Sequence, residues 1–274
     1  MVAAVLGGLR TGARLLIFLA LLLLAFAVAT LLRLAGPRRL RPAWGAGWWS
    51  RRALALLGIR VQRHGPRSRG RRMLICNHVS WLDILVLAAA EEPHFIAKSE
   101  IRHWPLVGYL ANSVGTFYIR RGRGGATPLL TALVPWLRAG EASFVVFPEG
   151  TTTDGRDVLP MHPRLFEAAV AAGVPVQPLA LRYRPDARGR DIAPFIGADT
   201  LAAHIGRVLA SPGLTVELHY GALQTPRQPR DVLAWRAETE VRRCLGLAAR
   251  AAPSSVPVAA PAPAAAPAAE AAAA

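Results

Sequence analysis

The sequence has few of the residues that build disulfide frameworks and metal clusters. Its 274 residues include two cysteines, Cys76 and Cys244, and the seven histidines show no tight ligand spacing such as His-x3-His. Two cysteines exclude a disulfide scaffold or a Cys/His zinc cluster as the basis of the fold. A reducing compartment is therefore the simpler assumption, and both cysteines are predicted to be small buried apolar residues.

Acidic residues are absent from the beginning of the chain. The first acid is Asp83, whereas the first 72 residues contain 14 arginines. The remainder is nearly neutral, with 19 basic and 17 acidic residues, although the formal net charge of the whole chain is +16. Such a basic segment favours a polyanionic partner, either nucleic acid or an anionic membrane surface. The apolar run inside it favours the membrane, so we predict no nucleic-acid partner.

A long apolar run between residues 15 and 32 is interrupted only by Thr30. As a helix it would be about 27 Å long, close to the hydrocarbon thickness of a bilayer. Two arginines precede the run and six follow it by residue 52. This bias predicts a membrane helix with the rest of the chain facing the cytoplasm. The alternative is a signal peptide with its cleavage site at residues 25–27 or 27–29.

A second apolar segment, between residues 43 and 57, carries three tryptophans, Trp44, Trp48 and Trp49, beside Arg51 and Arg52. Tryptophan rings and arginines are enriched at the headgroup level of membranes. The segment therefore favours an interfacial helix, and the alternative is an ordinary amphipathic helix packed on the domain.

After residue 58, short β-rich runs alternate with helical patterns. Strands are predicted at residues 59–63, 73–76, 94–97, 116–119, 143–147, 176–181 and 214–219. Helices are predicted at residues 81–90, 104–113, 128–138, 163–172, 199–209 and 230–247. The fold class is α/β, a mixed sheet flanked by helices. We predict an N-terminal membrane anchor and interfacial helix over 1–58, one α/β domain over 59–250 and a disordered Ala/Pro tail over 251–274.

The stretch 77–83, Asn-His-Val-Ser-Trp-Leu-Asp, lies between a predicted strand and a predicted helix. A neutral histidine can take a proton near pH 7 when a carboxylate fixes its tautomer. Residues five apart on an unbroken helix point about 140° apart, so His78 and Asp83 can meet only if His78 precedes the first helical turn, with Ser80 as the predicted N-cap. The alternatives are a turn histidine beside a helix-start aspartate, and a Cys-His nucleophile that uses Cys76.

Three further stretches follow predicted strands or form them. Residues 115–121, Gly-Thr-Phe-Tyr-Ile-Arg-Arg, form a strand with arginine at its exit, and arginine recognises phosphate through a planar fork of donors. Residues 147–151, Phe-Pro-Glu-Gly-Thr, place Glu149 in a turn after an apolar strand, where it could bind a hydroxyl or orient a basic residue. Residues 174–180 form an apolar strand with two prolines, which could line an acyl pocket or simply pack.

These four stretches, in this order, resemble the lysophospholipid acyltransferase family, particularly the bacterial 1-acyl-sn-glycerol-3-phosphate acyltransferases. The similarity covers residues 73–181. It implies that His78 is the general base and that Asp83 orients it. It also implies a role in binding the acceptor for Gly115, Arg121, Glu149, Gly150 and Thr151, and a place near the acyl donor for Pro178.

The resemblance implies transfer of a fatty acyl group from an acyl thioester to the free hydroxyl of a lysolipid, with backbone amides near the turn stabilising the oxyanion. The resemblance also implies a bacterial-type inner (cytoplasmic) membrane, with the catalytic domain facing the cytoplasm. The expected partners are this membrane, the lysolipid, and acyl-ACP (acyl carrier protein) or acyl-CoA as co-substrate. No other cofactor and no metal are expected. The favoured acceptor is 1-acyl-sn-glycerol-3-phosphate, which would give phosphatidic acid.

One position departs from the common family pattern. The family motif often continues with arginine, whereas this chain has Thr152. One cationic phosphate ligand is therefore missing, and Arg120, Arg164 or Lys98, the only lysine, could replace it. The acceptor could instead be lyso-ornithine lipid, as in a related branch of the family.

Three rival functions have distinct signatures. A thioesterase would use water in place of the lipid hydroxyl. A non-catalytic basic membrane-binding protein would bind anionic surfaces in a salt-sensitive way without His78. A metal hydrolase would join His78 and Asp83 to a third ligand from the set His94, His103 and His162.

Overall fold

The computed structural model describes residues 2–34, 42–119, 126–140 and 142–252. In this part of the chain seven strands form one sheet. The strands are β1 (Ile59–His64), β2 (Met73–Cys76), β3 (His94–Lys98), β4 (Phe117–Ile119), β5 (Phe144–Val146), β6 (Val176–Arg184) and β7 (Leu214–Tyr220). The helices are α1 (Val2–Leu34), α2 (Pro42–Leu57), α3 (Leu82–Glu91), α4 (Val107–Ser113), α5 (Ala126–Ala139), α6 (Glu167–Ala172), α7 (Leu201–Ala210) and α8 (Arg230–Cys244). Two 3-10 helices cover Ser99–His103 and Pro163–Phe166.

The sheet is mixed, as the sequence predicts. Its strand order is β1-β7-β6-β2-β5-β3-β4, and every neighbouring pair is parallel except β6 and β7. Strands β2 to β6 therefore run in one direction, and β1 and β7 run in the other. The carboxyl ends of β2, β3, β5 and β6 lie at one edge of the sheet, which we call the site edge, together with the amino ends of β1 and β7.

Helices cover both faces of the sheet. Side chains of β2 alternate between two hydrophobic clusters, with Leu74 and Cys76 in one and Met73 and Ile75 in the other. The first cluster also holds residues of α1, α2, α3 and α7, and the second holds residues of α5, α6 and α8. A strand buried on both faces is apolar throughout, which explains the continuous run Met73–Cys76.

Helix α1 is long and apolar enough to cross a membrane. Within the segment Gly7–Leu34, an 18-residue window reaches a mean hydropathy of 3.1, and the predicted run 15–32 lies inside this segment. Much of its surface carries large exposed apolar side chains, among them Leu9, Leu16, Ile17, Leu23, Leu31 and Leu34.

Another face of α1 packs against the rest of the protein along most of the helix. Near its start, Arg14 Nη1 donates to the carbonyl oxygen of Ser211 at 2.8 Å. In its middle, Phe18 is buried in the first hydrophobic cluster. Near its end, the hydroxyls of Thr30 and Tyr109 are 2.9 Å apart. The predicted boundary after residue 58 therefore separates segments that share one hydrophobic core.

Helix α2 packs on the domain along one side and exposes a tryptophan on another. Leu54 and Leu57 are buried in the first cluster, and α2 packs on α3. The indole N–H of Trp49 donates to the carbonyl oxygen of Leu21 in α1 at 2.8 Å, whereas Trp48 is exposed. The side chain of Trp44 lies outside the described part.

Most predicted elements are present, with shifts at their ends. The predicted helix 104–113 begins later, as α4 at Val107, because Pro105 and a positive φ of 59° at Leu106 interrupt its first turn. The 3-10 helix Ser99–His103 precedes it. The predicted helix 163–172 begins as the 3-10 helix Pro163–Phe166. Of the predicted tail, residues from 253 onward lie outside the described residues.

Candidate active site

The stretch 77–83 leaves the sheet at the site edge, directly after β2. Asn77 fixes the point of departure, because its side-chain amide donates to the carbonyl oxygen of Leu181 at 3.0 Å and accepts from the Leu181 N–H at 2.8 Å. These two bonds extend the pairing of β2 with β6 by one residue. Asn77 is completely buried, so the turn that follows starts from a rigid position.

His78 and Asp83 are in contact. His78 Nδ1 lies 2.7 Å from Asp83 Oδ2, and the contact is possible because His78 precedes α3, whose first residue is Leu82. The Asp83 side chain is fully buried, whereas that of His78 is 20% exposed. Among the described residues no hydrogen bond reaches His78 Nε2, so this nitrogen is open to a ligand.

The Asp83 carboxylate organises the turn as well as the histidine. Oδ2 also accepts from the backbone N–H groups of Val79 at 2.8 Å and Ser80 at 3.0 Å, and Oδ1 accepts from the Tyr183 hydroxyl at 2.8 Å. The prediction of Ser80 as N-cap is wrong. The N-cap is Trp81, which makes no side-chain cap bond, and Asp83 takes the nearby N–H groups because a carboxylate is the stronger acceptor.

Glu149 holds the backbone of His78 in place. Glu149 Oε1 accepts from the N–H of His78 and Oε2 accepts from the N–H of Leu159, each at 2.7 Å. Burial raises the Glu149 pKa to about 6, although both backbone bonds act in the opposite direction. The sequence suggested that Glu149 binds a hydroxyl or orients a basic residue. In the structure its two oxygens accept from backbone N–H groups, one of which is that of His78.

Two residues in or just after the stretch 147–151 also fix His78. The Phe147 ring stacks on the imidazole, with ring centroids 4.1 Å apart and an interplanar angle of 19°. The Thr153 N–H donates to the His78 carbonyl oxygen at 2.8 Å. His78 is therefore held through its ring, its backbone N–H and its backbone C=O, which leaves the imidazole one orientation towards a substrate.

The other predicted binding residues lie at different parts of the sheet. Gly150 follows Glu149 in a turn with φ of 70°, and Thr151 next to it is exposed. Gly115 lies before β4, at the edge opposite the site, where its carbonyl oxygen is 3.1 Å from His94 Nδ1. Gly115 is thus not brought to His78. Pro178 is buried within β6 opposite Ile75. The predicted phosphate ligand Arg121 lies outside the described residues.

A match to the acyltransferase family model covers residues 58–182. The chain is also 41% identical over 210 residues to a lyso-ornithine lipid O-acyltransferase of Pseudomonas aeruginosa, an alignment that covers 76% of this chain and 80% of the relative.

The chain belongs to the acyltransferase family. A 1-acyl-sn-glycerol-3-phosphate acyltransferase of Neisseria gonorrhoeae is 33% identical over 192 residues, which cover 69% of this chain and 74% of that protein. The crystal structure of the 1-acyl-sn-glycerophosphate acyltransferase PlsC from Thermotoga maritima has the same fold, with a TM-score of 0.65 and 21% identity over 90% of this chain and 99% of that one. The predicted family, fold class and enzyme class are therefore confirmed.

Cys76 of this acyltransferase is a packing residue in the structure. It is completely buried in the first hydrophobic cluster. Burial raises the pKa of its thiol well above the usual value, and the Asp83 and Glu149 carboxylates raise it further. A buried neutral thiol is a poor nucleophile, so the Cys-His alternative has no support. Within the described ranges no group of three or more His, Cys, Asp or Glu side chains is arranged to hold a metal ion.

Thr152 stands where the family motif often has arginine, and its side chain makes a hydrogen bond within the protein. Its hydroxyl donates to the carbonyl oxygen of Phe195 at 2.5 Å. Of the three basic residues that could replace the missing cation, Lys98 ends β3 at the site edge, and Arg164 lies in the 3-10 helix Pro163–Phe166. Arg120 lies outside the described residues.

Proposed function

We propose that the protein transfers a fatty acyl group from an acyl thioester to the free hydroxyl of a lysolipid, with His78 as general base. The 2.7 Å contact between His78 Nδ1 and Asp83 Oδ2 carries this proposal. It fixes the tautomer with the proton on Nδ1, so the lone pair of Nε2 is available to a hydroxyl group. The resemblance to lysolipid acyltransferases supports the choice of substrates.

The proposed reaction is a direct transfer. His78 Nε2 removes the proton of the acceptor hydroxyl while its oxygen attacks the thioester carbonyl carbon. The tetrahedral intermediate then expels the thiolate, which takes this proton from the imidazolium. The Asp83 carboxylate stabilises the imidazolium between these two steps. The products are the acylated lipid and the free thiol of acyl carrier protein or coenzyme A, so the balance requires no further cofactor.

The oxyanion of the intermediate needs donors from outside the stretch 78–80. The N–H groups of His78, Val79 and Ser80 already donate to Glu149 and Asp83. The Gly150 N–H also donates already, to the carbonyl oxygen of Phe147 at 3.1 Å. We therefore assign the oxyanion to the backbone N–H of Thr151, in the turn that follows Glu149 on the same edge of the sheet.

We propose lyso-ornithine lipid as the preferred acceptor, and 1-acyl-sn-glycerol-3-phosphate as the second candidate. Two observations favour this order over the reverse order expected from the sequence. The position that often carries arginine is Thr152, whose hydroxyl binds the Phe195 carbonyl instead of facing a ligand. The identity to the lyso-ornithine acyltransferase of Pseudomonas aeruginosa, 41%, exceeds the 33% to the glycerolipid enzyme of Neisseria gonorrhoeae.

The test is acyl transfer by washed membranes that contain the wild type, His78→Ala or His64→Ala. Acyl-ACP is supplied with lyso-ornithine lipid and, in parallel, with 1-acyl-sn-glycerol-3-phosphate. We expect His78→Ala to lose activity roughly 10²–10⁴-fold, the usual contribution of a general base. His64 ends β1 at the opposite edge of the sheet and is exposed, so His64→Ala should retain activity.

Each rival function gives a different result in the same assay. Near-normal transfer by His78→Ala would refute the general-base assignment. Acyl release by the wild type without any lysolipid would identify a thioesterase. Lipid binding without transfer to either acceptor, unchanged in His78→Ala, would identify a non-catalytic membrane-binding protein.

A further inference from the structure

The hydroxyl of Tyr183 contacts the buried side of the His78–Asp83 pair. Tyr183 is the penultimate residue of β6, the neighbour of β2, and its side chain packs against the first hydrophobic cluster. Its hydroxyl lies 2.8 Å from Asp83 Oδ1. No motif singled out this tyrosine, because it lies 100 residues from its partner.

The two oxygens of Asp83 have separate partners. Oδ2 accepts from His78 and from the N–H groups of Val79 and Ser80. Oδ1 accepts from Tyr183, which is its one donor within the described part of the chain. Burial, and then the Asp83 charge, raise the pKa of Tyr183 well above its usual value. The hydroxyl therefore stays protonated and donates a hydrogen bond to Asp83.

We propose that Tyr183 is a positioning residue for acyl transfer, which fixes the rotation of the Asp83 carboxylate and limits the negative charge that Asp83 presents to His78. This inference rests on the proposed function, in which His78 is the general base. A carboxylate held by one oxygen alone can rotate about its side-chain bond, which would move Oδ2 relative to His78 Nδ1. The hydroxyl at Oδ1 removes this freedom.

Loss of the hydroxyl has two separable consequences. The carboxylate becomes less well oriented, so the rate of the chemical step falls. It also loses a hydrogen bond that draws charge away from Oδ2, so it stabilises the imidazolium more strongly. The base is then protonated at a higher pH, and the acidic limb of the pH–rate profile moves upward. Glu149 also faces His78, whose N–H it binds, and with a pKa of about 6 it contributes to the same limb in both proteins. Its contribution should not change, because the Tyr183 hydroxyl donates to Asp83. A purely structural tyrosine would not move this limb.

The experiment compares the pH dependence of kcat/KM for the wild type and Tyr183→Phe. We expect kcat to fall roughly tenfold, as for the loss of one hydrogen bond to a charged group. We expect the KM of the acceptor to change little, and the acidic limb to move to higher pH. An acidic limb at the wild-type position, or at lower pH, with kcat within twofold of the wild type would overturn the proposal.

Tyr220→Phe is the matched control. The Tyr220 hydroxyl donates to Glu91 Oε1 at 2.6 Å, and the Glu91 side chain is 1% exposed. Tyr220 ends β7 at the opposite edge of the sheet, so its variant loses the same kind of bond far from His78. We expect it to lower thermal stability without moving the acidic limb. A limb shifted equally in both variants would count against a role through Asp83.

His78→Ala in the same preparation separates the two proposals. If it retains activity, the general-base assignment fails. If it is inactive while Tyr183→Phe keeps the wild-type rate and profile, only the role of Tyr183 fails. Should Tyr183→Phe fold less efficiently, the position of its acidic limb still decides, because that position does not depend on the amount of folded enzyme.

Discussion

Two carboxylates from different motifs hold the turn that carries His78. Asp83 and Glu149 together accept four backbone N–H groups, those of His78, Val79, Ser80 and Leu159. Bonds from N–H groups to a carboxylate are stronger than bonds between neutral groups. The stretch 147–151 therefore acts on the stretch 77–83 through the backbone, in addition to any contact it makes with a substrate.

At the residue scale, the ionisation of Glu149 should oppose folding. Its pKa rises from 4.5 to about 6 through burial. A raised pKa means that the protonated form is favoured in the folded chain, so this contribution to stability is complete below pH 4.5 and is lost as the pH rises through about 6. The loss corresponds to about 2 kcal/mol.

Glu149→Gln tests this linkage, because glutamine does not titrate. We expect the unfolding free energy of the wild type, relative to the variant, to fall by about 2 kcal/mol between pH 4.5 and pH 7. Thermal unfolding in detergent at several pH values measures the difference. The variant will also carry a constant loss, since its amide group faces a backbone N–H. A difference that does not vary with pH would contradict the raised pKa.

The contact between His78 and Asp83 could be predicted from the sequence, because it is local and depends on one condition, a turn before α3. The bonds from Tyr183 to Asp83 and from Leu181 to Asn77 could not. They depend on the register of β6 against β2, and a shift of one residue would turn Tyr183 to the other face of the sheet. No short pattern in either strand encodes that register.

At the scale of elements, Arg14 joins α1 to the end of α7. Its guanidinium donates to the carbonyl oxygens of Leu209 at 3.2 Å and Ser211 at 2.8 Å. A cation at a helix C-terminus satisfies carbonyl groups that have no partner in the helix. Arg10 makes one longer and exposed bond nearby, at 3.3 Å to the carbonyl oxygen of Ala210.

We expect Arg14→Gln to lower the melting temperature by roughly 5 °C, since it removes charge-assisted bonds from a partly buried site. Arg10→Gln, the matched control, should lower it by less than about 2 °C, because an exposed bond of this kind contributes little. Thermal unfolding of both variants in the same detergent makes the comparison. Equal effects would mean that α1 is held mainly by its apolar contacts.

The types of most elements followed from their periodicity, but the position of Gly115 did not. The sequence associates Gly115 and Arg121 as one binding motif. In the structure Gly115 precedes β4, whose amino end lies at the opposite edge from His78. A strand of three residues is enough to separate this end from the site edge, because each residue advances the chain about 3.3 Å. Motif spacing alone does not reveal the strand direction.

At the scale of the whole molecule, α1 is the helix of the described part of the chain that is long and apolar enough to cross a membrane. The sequence predicts a helix that spans the bilayer with its C-terminal side in the cytoplasm. The bonds of Arg14 to Ser211, however, hold the beginning of α1 against the body as well. Gly8 precedes Arg14 by six residues, about 9 Å along a helix. It should therefore lie on the same side of the membrane as the body.

We test this with Gly8→Cys and, as control, Leu223→Cys, each with Cys244→Ser. Gly8 and Leu223 are exposed, and Cys76 is buried. An impermeant maleimide should label neither introduced cysteine in intact cells and should label both after lysis. Labelling of Gly8→Cys but not Leu223→Cys in intact cells would show that α1 crosses the bilayer.

The reversed direction of β1 and β7 brings α1 and α2 to the site edge. β1 begins there two residues after the end of α2, and β7 begins there three residues after Ser211, whose carbonyl oxygen accepts a hydrogen bond from Arg14 of α1. A lipid acceptor would then meet the enzyme by diffusion in two dimensions. Its surface mole fraction, rather than its bulk concentration, would set the rate, so dilution with inert lipid would slow turnover even when the total amount of acceptor is unchanged.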